Sequence, residues 1–341
     1  MARQGMTSNS YFPPSGAEID GVWADEVHDL YHKVGEVPDR LTVRCNMVLK
    51  GVSDDELPKH LEKFKAAFDL YSLRGCPIIA QFTQELFEPA GARPNADFDQ
   101  LSPYPTNPYI RGFAERAKRV SDFLSQNTGA SEYILWNEPN GPVMPLDAQH
   151  FAALLNHCWK TMTSAFHIYW GGILLSHVEL TGVDHPHEAA YINNVYQWLA
   201  TNRLAGPGID RWPWDAINLH IHHERSTTAD PDPTAPPQPG YLVKARNMIE
   251  QIVRTRWQDT ALVIVGEWGV SIEEFQPEST KASNPLTRAY RGLNDILRPD
   301  VMLYFAHPYV DERHLGGAQW GLRDGTDKTM LFEPYRNVLK T

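Results

Sequence analysis

Short apolar runs alternate with helix-like segments along most of this chain of 341 residues. Two of the runs end at a glutamate: residues 134–136 lead to Glu138, and residues 262–265 lead to Glu267. A short apolar run that a proline or glycine ends is typical of a strand buried on both faces, and such strands belong to parallel sheets covered by helices. The pattern therefore predicts an α/β fold in which both glutamates stand at strand ends.

Seven apolar runs are assigned as strands, and segments with helical spacing of apolar residues follow most of them. The strands are predicted at residues 41–48, 76–82, 134–138, 168–175, 216–222, 262–267 and 301–306. The helices are predicted at residues 57–71, 109–126, 147–162, 189–200, 242–252, 286–297 and 334–339. An eighth strand is expected at residues 9–12, with residues 22–34 as the first crossover helix.

Strand-helix alternation with parallel connections leaves two main architectures, a closed barrel or an open doubly wound sheet. No glycine-rich phosphate-binding motif follows any of the predicted strands, which weighs against the open sheet. No low-complexity tract or linker divides the sequence. We therefore predict a single (β/α)8 TIM barrel over residues 1–341, with residues 1–10 as a flexible end.

Composition excludes several classes of function. The chain carries 31 Lys+Arg against 42 Asp+Glu, a formal charge of -11, and no long basic block, so we expect no nucleic-acid partner. Its three cysteines show no Cys-x-x-Cys spacing, which argues against a zinc site or a disulfide framework. No apolar stretch is long enough for a membrane span, and residues 1–10 lack the apolar centre of a secretory signal. We expect a soluble protein, either cytoplasmic or secreted with its signal removed, whose oligomeric state the sequence leaves open.

The two strand-end glutamates carry the strongest functional signal. In barrels of this kind the active site lies at the carboxyl ends of the strands. Glu138 and Glu267 are about 130 positions apart, so they come from different strands and can meet at one mouth of the barrel. Glycoside hydrolysis needs such a pair: one carboxyl group as proton donor and a second as nucleophile or base. The pair predicts a carbohydrate substrate and no metal or organic cofactor.

A family resemblance rests on the same residues. The motif Trp-Asn-Glu-Pro ending at residue 139, followed by Gly-Glu-Trp-Gly ending at residue 269, resembles clan A of the retaining glycoside hydrolases, most closely families five and thirty-nine. The resemblance implies that Glu138, at the end of the fourth strand, is the acid/base and that Glu267, at the end of the seventh, is the nucleophile. It also implies a β-linked oligo- or polysaccharide substrate of the β-glucan, xylan or mannan type.

The resemblance assigns further residues to substrate binding. Arg44 matches the arginine on the second strand that supports the nucleophile, and Asn137 matches the asparagine that binds the sugar 2-hydroxyl. On the sixth strand the clan often has His-x-Tyr, whereas this chain has His220-Ile221-His222, with His222 in the place of the tyrosine. Both histidines are therefore expected at the site. Two tryptophans in predicted loops, Trp268 and Trp320, are expected to stack on sugar rings.

Two other functions compete with this prediction. A His-x-His pair on a barrel strand, here His220 and His222, can also hold the divalent ion of a metal-dependent hydrolase. A barrel can also keep its fold as a non-catalytic carbohydrate-binding protein. Both alternatives leave the pair of strand-end glutamates unexplained, so a retaining glycoside hydrolase is the prediction that accounts for most residues.

Overall fold

The computed structural model describes residues 2–7, 20–21, 24, 41–87, 107–142, 145–175, 186–202, 206, 211–223, 239–270, 285–304, 323–324, 327–328 and 332–339. Within them, parallel strands form a closed barrel of eight. The strands are β1 (Arg3–Thr7), β2 (Thr42–Asn46), β3 (Ile78–Phe82), β4 (Glu132–Leu135), β5 in two segments (His167–Trp170 and Ile173–Leu174), β6 (Ala216–His223), β7 (Leu262–Val270) and β8 (Val301–Tyr304). Each strand pairs with its neighbour in chain order, and β8 pairs with β1, which closes the barrel.

Helices surround this barrel. They are α1 (Leu57–Ser72), α2 (Pro108–Asn127), α3 (Ala148–Thr161), α4 (Pro186–Thr201), α5 (Pro239–Met248, continued as a π-helix over Ile249–Arg256), α6 (Pro285–Gly292, continued over Leu293–Leu297) and α7 (Phe332–Leu339). Four of them begin at a proline, which fits the first helical turn because no intrahelical N–H bond is needed there. A short antiparallel hairpin joins residues 323–324 to 327–328. None of the helices in these described ranges is long and apolar enough to cross a lipid bilayer.

The predicted (β/α)8 barrel is confirmed, but the prediction for its first strand is wrong. The strand is Arg3–Thr7 rather than residues 9–12, and both residues 9–12 and most of residues 22–34 lie outside the described part of the chain. Residues 3–7, expected to be flexible, lie between β2 and β8 in the sheet. Gly5 explains the weak apolar signal, since a Cβ atom there would lie 2.3 Å from the Thr42 carbonyl oxygen.

The barrel interior has three layers along its axis. An ion pair lies at the amino-terminal end of the strands, an apolar layer at the centre, and polar residues at the carboxyl-terminal end. At the amino-terminal end Arg3 makes two hydrogen bonds to Glu132, at 2.8 and 2.5 Å, and Tyr169 donates a third at 2.9 Å. The apolar centre comprises Ile79, Ile134, Tyr169, Ala216, Ile264, Val301 and Leu303. Side chains alternate along a strand, so the next inward position on β3 is Gln81 and the next two on β6 are Asn218 and His220. These buried polar residues lead to the carboxyl ends of the strands.

Candidate active site

Glu138 is presented by a tight turn just after β4. The strand ends at Leu135, and both Trp136 (φ 77°) and Glu138 (φ 42°) occupy the left-handed backbone region. Such conformations cost on the order of 1–3 kcal/mol each for non-glycine residues and persist only where the surroundings hold them. The surroundings do so here, because the Asn140 side chain exchanges two hydrogen bonds, at 2.8 and 2.9 Å, with the backbone of Leu174 on β5. The turn thus holds Glu138 at the barrel mouth.

Glu267 lies within β7, and the peptide before it is held on both sides. The Gly266 N–H donates to Asn218 Oδ1 at 2.7 Å, and the Gly266 carbonyl oxygen accepts from Arg44 Nη1 at 3.1 Å. A Cβ atom at position 266 would lie 2.4 Å from Asn218 Oδ1, so only glycine fits without a shift. The pairing of β6 with β7 also changes register at Leu219/His220. These contacts fix the direction in which Glu267 leaves the strand.

Arg44 forms an ion pair with Glu267. Its Nη2 atom lies 2.6 Å from Glu267 Oε1, and the two residues are 2% and 6% exposed. A guanidinium at this distance favours the ionised form of a carboxylate, and burial shields the pair from screening by solvent. The structure thus brings Arg44 and Glu267, which the resemblance linked, into direct contact.

His220 lies between the two glutamates. Its Nδ1 atom is 2.9 Å from Glu138 Oε1 and 3.5 Å from Glu267 Oε2, and the residue is fully buried. Space for the ring comes from Gly172, which lies between the two segments of β5 and where a Cβ atom would lie 1.9 Å from the imidazole. His220 was expected to bind substrate, and the structure places it against the two carboxylates. The side chain of His222 lies outside the described part of the structure.

The three side chains have the spacing of a possible metal site. One ligand atom from each of Glu138, His220 and Glu267 lies within 4.8 Å of the others. This set differs from the alternative predicted from sequence, which paired His220 with His222. A cation already contacts Glu267, since Arg44 lies 2.6 Å away, and a divalent ion placed beside this carboxylate would be repelled by the guanidinium. The arrangement therefore favours two carboxylates on either side of an imidazole over a metal centre.

Asn137 belongs to the same cluster through a residue that the sequence analysis missed. Gln81 Nε2 donates to Asn137 Oδ1 at 2.8 Å and to the Trp136 carbonyl oxygen at 3.1 Å. Gln81 is fully buried, whereas Asn137 is partly exposed. A polar residue at an inward position of an apolar strand was the available signal, and Asn218 on β6 gave the same signal.

The two tryptophans predicted to stack on sugar have different outcomes. Trp268 is fully buried and packs against Tyr290 of α6 and Tyr335 of α7, with ring centroids 6.1 and 6.2 Å apart. It directly follows the inward-facing Glu267, so strand alternation turns its ring outward to the helices. The prediction for Trp268 is wrong, because a sugar at the barrel mouth could not reach it. Trp320 lies outside the described residues.

Comparison with known proteins finds likeness in fold. No protein-family model and no curated protein sequence matches the chain. A GH5_18 enzyme from Streptomyces cattleya, solved in complex with Manβ1-4GlcNAc, matches with a TM-score of 0.65 and 15% identity over 100% of this chain and 80% of its own. Cel5A of Thermotoga maritima, solved with mannotriose, matches with a TM-score of 0.60 and 13% identity over 98% and 96%.

Two further structures are longer than this chain. It spans 59% of an exo-β-1,4-mannosidase from Opitutaceae bacterium strain TAV5 (TM-score 0.59, 15% identity) and 63% of a family 39 glycoside hydrolase from Bacteroides cellulosilyticus WH2 (TM-score 0.58, 18% identity). The two matches cover 100% and 99% of this chain, respectively. Identities this low establish the fold alone: a (β/α)8 barrel of the kind found in the clan A glycoside hydrolases.

Proposed function

We propose that this chain is a retaining β-glycoside hydrolase with Glu138 as acid/base and Glu267 as nucleophile. The observation that carries the proposal is the approach of the two carboxylates, which have oxygen atoms within 4.8 Å of each other, one from the turn after β4 and the other from the carboxyl-terminal half of β7. Retaining enzymes hold their two carboxyl groups roughly 5–5.5 Å apart, whereas inverting enzymes leave roughly 6.5–9.5 Å for a water molecule. The short separation supports direct attack on the sugar.

The different partners of the two glutamates support the assignment of roles. Arg44 stabilises negative charge on Glu267, whose carboxylate oxygen attacks the anomeric carbon while the bond to the leaving oxygen breaks. Glu138 gives its proton to that leaving oxygen and becomes a carboxylate. In the second step Glu138 takes a proton from water, and the water oxygen displaces Glu267 from the anomeric carbon.

His220 has a clear part in this cycle. A carboxylate oxygen only accepts hydrogen bonds, so Nδ1 of His220 carries the proton whenever Glu138 is ionised. The same N–H lies 3.5 Å from Glu267 Oε2, so the imidazole holds both carboxylates at the separation that direct attack requires. His220 is thus proposed as a positioning residue rather than a sugar-binding one.

We place β-mannosides first among candidate substrates, followed by β-glucan and xylan. Three of the structural neighbours are named for or solved with β-mannosides or mannotriose, and a GH30 endoxylanase of Clostridium papyrosolvens C71 is a further neighbour. The (β/α)8 fold supports many chemistries, so these names guide the choice of substrates and the site supplies the mechanism.

The experiment is hydrolysis of aryl β-mannosides, β-glucosides and β-xylosides, together with mannan, β-glucan and xylan. Proton NMR of the first-formed sugar should show the β-anomer, as double displacement requires. An α-anomer would mean inversion. Binding of a polysaccharide without turnover, in a protein that is folded by circular dichroism, would replace the proposal with the non-catalytic barrel.

A further inference from the structure

Gln81 is rigidly placed beside the proposed acid/base. It lies in β3, where its backbone carbonyl accepts from Met47 N–H at 2.8 Å and its neighbour Phe82 accepts from Trp136 N–H at 2.7 Å. The residue is fully buried, so its side chain has no contact with bulk solvent. Its amide reaches across to the turn that carries Asn137 and Glu138.

The hydrogen bonds of Gln81 fix which way two amide groups point. One amide atom of Gln81 lies 3.1 Å from the Trp136 carbonyl oxygen and 2.8 Å from the side chain of Asn137. A carbonyl oxygen only accepts, so this Gln81 atom must be the nitrogen, Nε2. The Asn137 atom that faces it must then be the oxygen, because two amide nitrogens cannot donate to each other. The NH2 group of Asn137 is left to point elsewhere.

The orientation of Gln81 leaves its amide oxygen without a hydrogen-bond donor among the described residues, which costs stability. Its other amide atom, Oε1, is buried and accepts no hydrogen bond from the part of the chain that the structure describes. A buried acceptor without a donor typically costs about 1–3 kcal/mol. The hydrogen bonds of the Gln81 side chain are therefore made by its NH2 group, and both go to the turn that carries Glu138.

We propose that Gln81 is a positioning residue: by holding the Asn137 oxygen toward itself, it leaves the Asn137 NH2 group for the hydroxyl at sugar C2, the ligand that the clan A resemblance assigns to Asn137. The inference rests on the proposed glycosidase function. In a sugar whose anomeric carbon lies between Glu138 and Glu267, the hydroxyl at C2 is on the neighbouring carbon. Hydrogen bonds to this hydroxyl strengthen in the transition state of glycoside hydrolysis. Gln81 would thus select for sugars that carry an acceptor oxygen at C2 without touching the sugar itself.

The test compares two variants on matched substrates. Gln81→Met keeps the length of the side chain and removes both hydrogen bonds, whereas Gln81→Glu, when ionised, turns the Asn137 NH2 toward itself and away from the sugar. The substrates are 2,4-dinitrophenyl β-mannoside, the β-glucoside and their 2-deoxy analogue, which is the same compound for both sugars because they differ only at C2. We expect the ratio of kcat/KM for the hydroxylated substrate to that for the 2-deoxy compound to fall about tenfold in each variant.

A double-mutant cycle provides the second measurement. In an Asn137→Ala background, Gln81→Met should cause little further change in that ratio, because the group it orients is gone. Equal losses on hydroxylated and 2-deoxy substrates in a folded variant, or additive losses in the cycle, would show that Gln81 has only a structural role. Failure of the wild-type protein to hydrolyse any of the three substrates would count against the proposed function and thus against the inference built on it.

Discussion

Arg44 on β2 contacts Glu267 on β7 across the barrel, with Nη2 2.6 Å from Oε1, although 223 residues separate them in the chain. Both side chains are almost fully buried. Removing one partner of such a pair leaves an uncompensated buried charge and typically lowers stability by about 3–5 kcal/mol. A permanent cation beside Glu267 favours the ionised form of this carboxylate, which the proposed role of nucleophile requires.

The first prediction separates the two glutamates by their amide variants. Glu267→Gln should be inactive on every substrate, because no carboxylate remains to form the glycosyl-enzyme. The activity of Glu138→Gln should fall roughly 10²–10⁴-fold on substrates with poor leaving groups, which need a proton donor. The same variant should still form the glycosyl-enzyme from dinitrophenyl glycosides, whose leaving group needs little protonation.

Azide provides the control for these roles. Azide attacks the glycosyl-enzyme without giving up a proton, so it should rescue Glu138→Gln and yield a β-glycosyl azide. An α-azide from Glu138→Gln together with a β-azide from Glu267→Gln would mean that the roles are reversed. Equal losses without rescue in both variants would argue against a retaining pair.

The second prediction uses the position of the His220 hydrogen bond. Nδ1, the atom that contacts Glu138 Oε1 at 2.9 Å, lies two bonds from Cβ, and the side-chain amide nitrogen of asparagine lies at the same distance along the chain. His220→Asn should therefore keep more activity than His220→Gln, which places its nitrogen near the Nε2 position. We expect losses of about tenfold and roughly 10²-fold in kcat, respectively, because misplacement by about 1 Å can cost 10²-fold. The reverse order would exclude the Nδ1 contact as the important one.

The third prediction concerns the space that Gly172 leaves for His220. A Cβ atom at position 172 would lie 1.9 Å from the imidazole, so Gly172→Ala must displace the ring from both glutamates. Activity should fall roughly 10²-fold. Gly129→Ala is the matched control, because its Cβ would meet only the Ser72 side chain, no closer than 3.3 Å, and Gly129 precedes β4 whereas Glu138 follows it. Comparable activity of the two folded variants would contradict the positioning role of His220.

The sequence was sufficient to predict the barrel and the positions of the two glutamates in it, because both depend on local patterns. Apolar runs of strand length identified β2 to β8, and the ends of two such runs located Glu138 and Glu267. The strand β1 was missed because it contains Arg3 and Gly5, whose roles depend on distant partners: Arg3 pairs with Glu132, 129 residues away. A contact between residues so far apart in the sequence cannot be predicted from a local pattern.

The supporting residues of the site show a second limit. The resemblance placed His220 at the site, but its contact with both carboxylates depends on Gly172 and on the register change between β6 and β7. Gln81 is recognisable only as a polar residue in an apolar run, and its partner is on another strand. Trp268 could have been assigned correctly, since alternation from Glu267 already directs it outward.

The fourth prediction is that catalysis proceeds without a metal ion. Glu138, His220 and Glu267 have ligand spacing, yet Arg44 already supplies positive charge to Glu267. Prolonged dialysis against a chelator should leave turnover within error of the untreated enzyme. If activity were lost and zinc or manganese restored it, these three residues would instead be metal ligands, and the double-displacement proposal would be abandoned.

The fifth prediction concerns the amino-terminal end of the barrel, where Arg3 and Tyr169 donate hydrogen bonds to Glu132. Burial alone would raise the pKa of Glu132, but the hydrogen bonds and charge of Arg3, with the Tyr169 hydroxyl, hold that pKa below the ordinary value of 4.5. A carboxyl group whose pKa is lower in the folded state stabilises the fold above its unfolded pKa. That contribution is lost as pH falls through the folded pKa.

The free energy of unfolding in urea, measured at pH 7 and at successively lower pH values below 4.5, tests this ion pair. Glu132→Gln should be less stable than wild type by about 1–3 kcal/mol at pH 7, because Arg3 keeps its charge in a partly buried position. The gap should narrow as the pH falls, since the wild-type carboxyl is then protonated as well. Asp69→Asn, which removes the partly exposed partner of Lys65 on α1, is the control and should cost no more than about 0.5 kcal/mol. A gap between wild type and Glu132→Gln that stays constant with pH would show that Glu132 contributes through packing rather than through its charge.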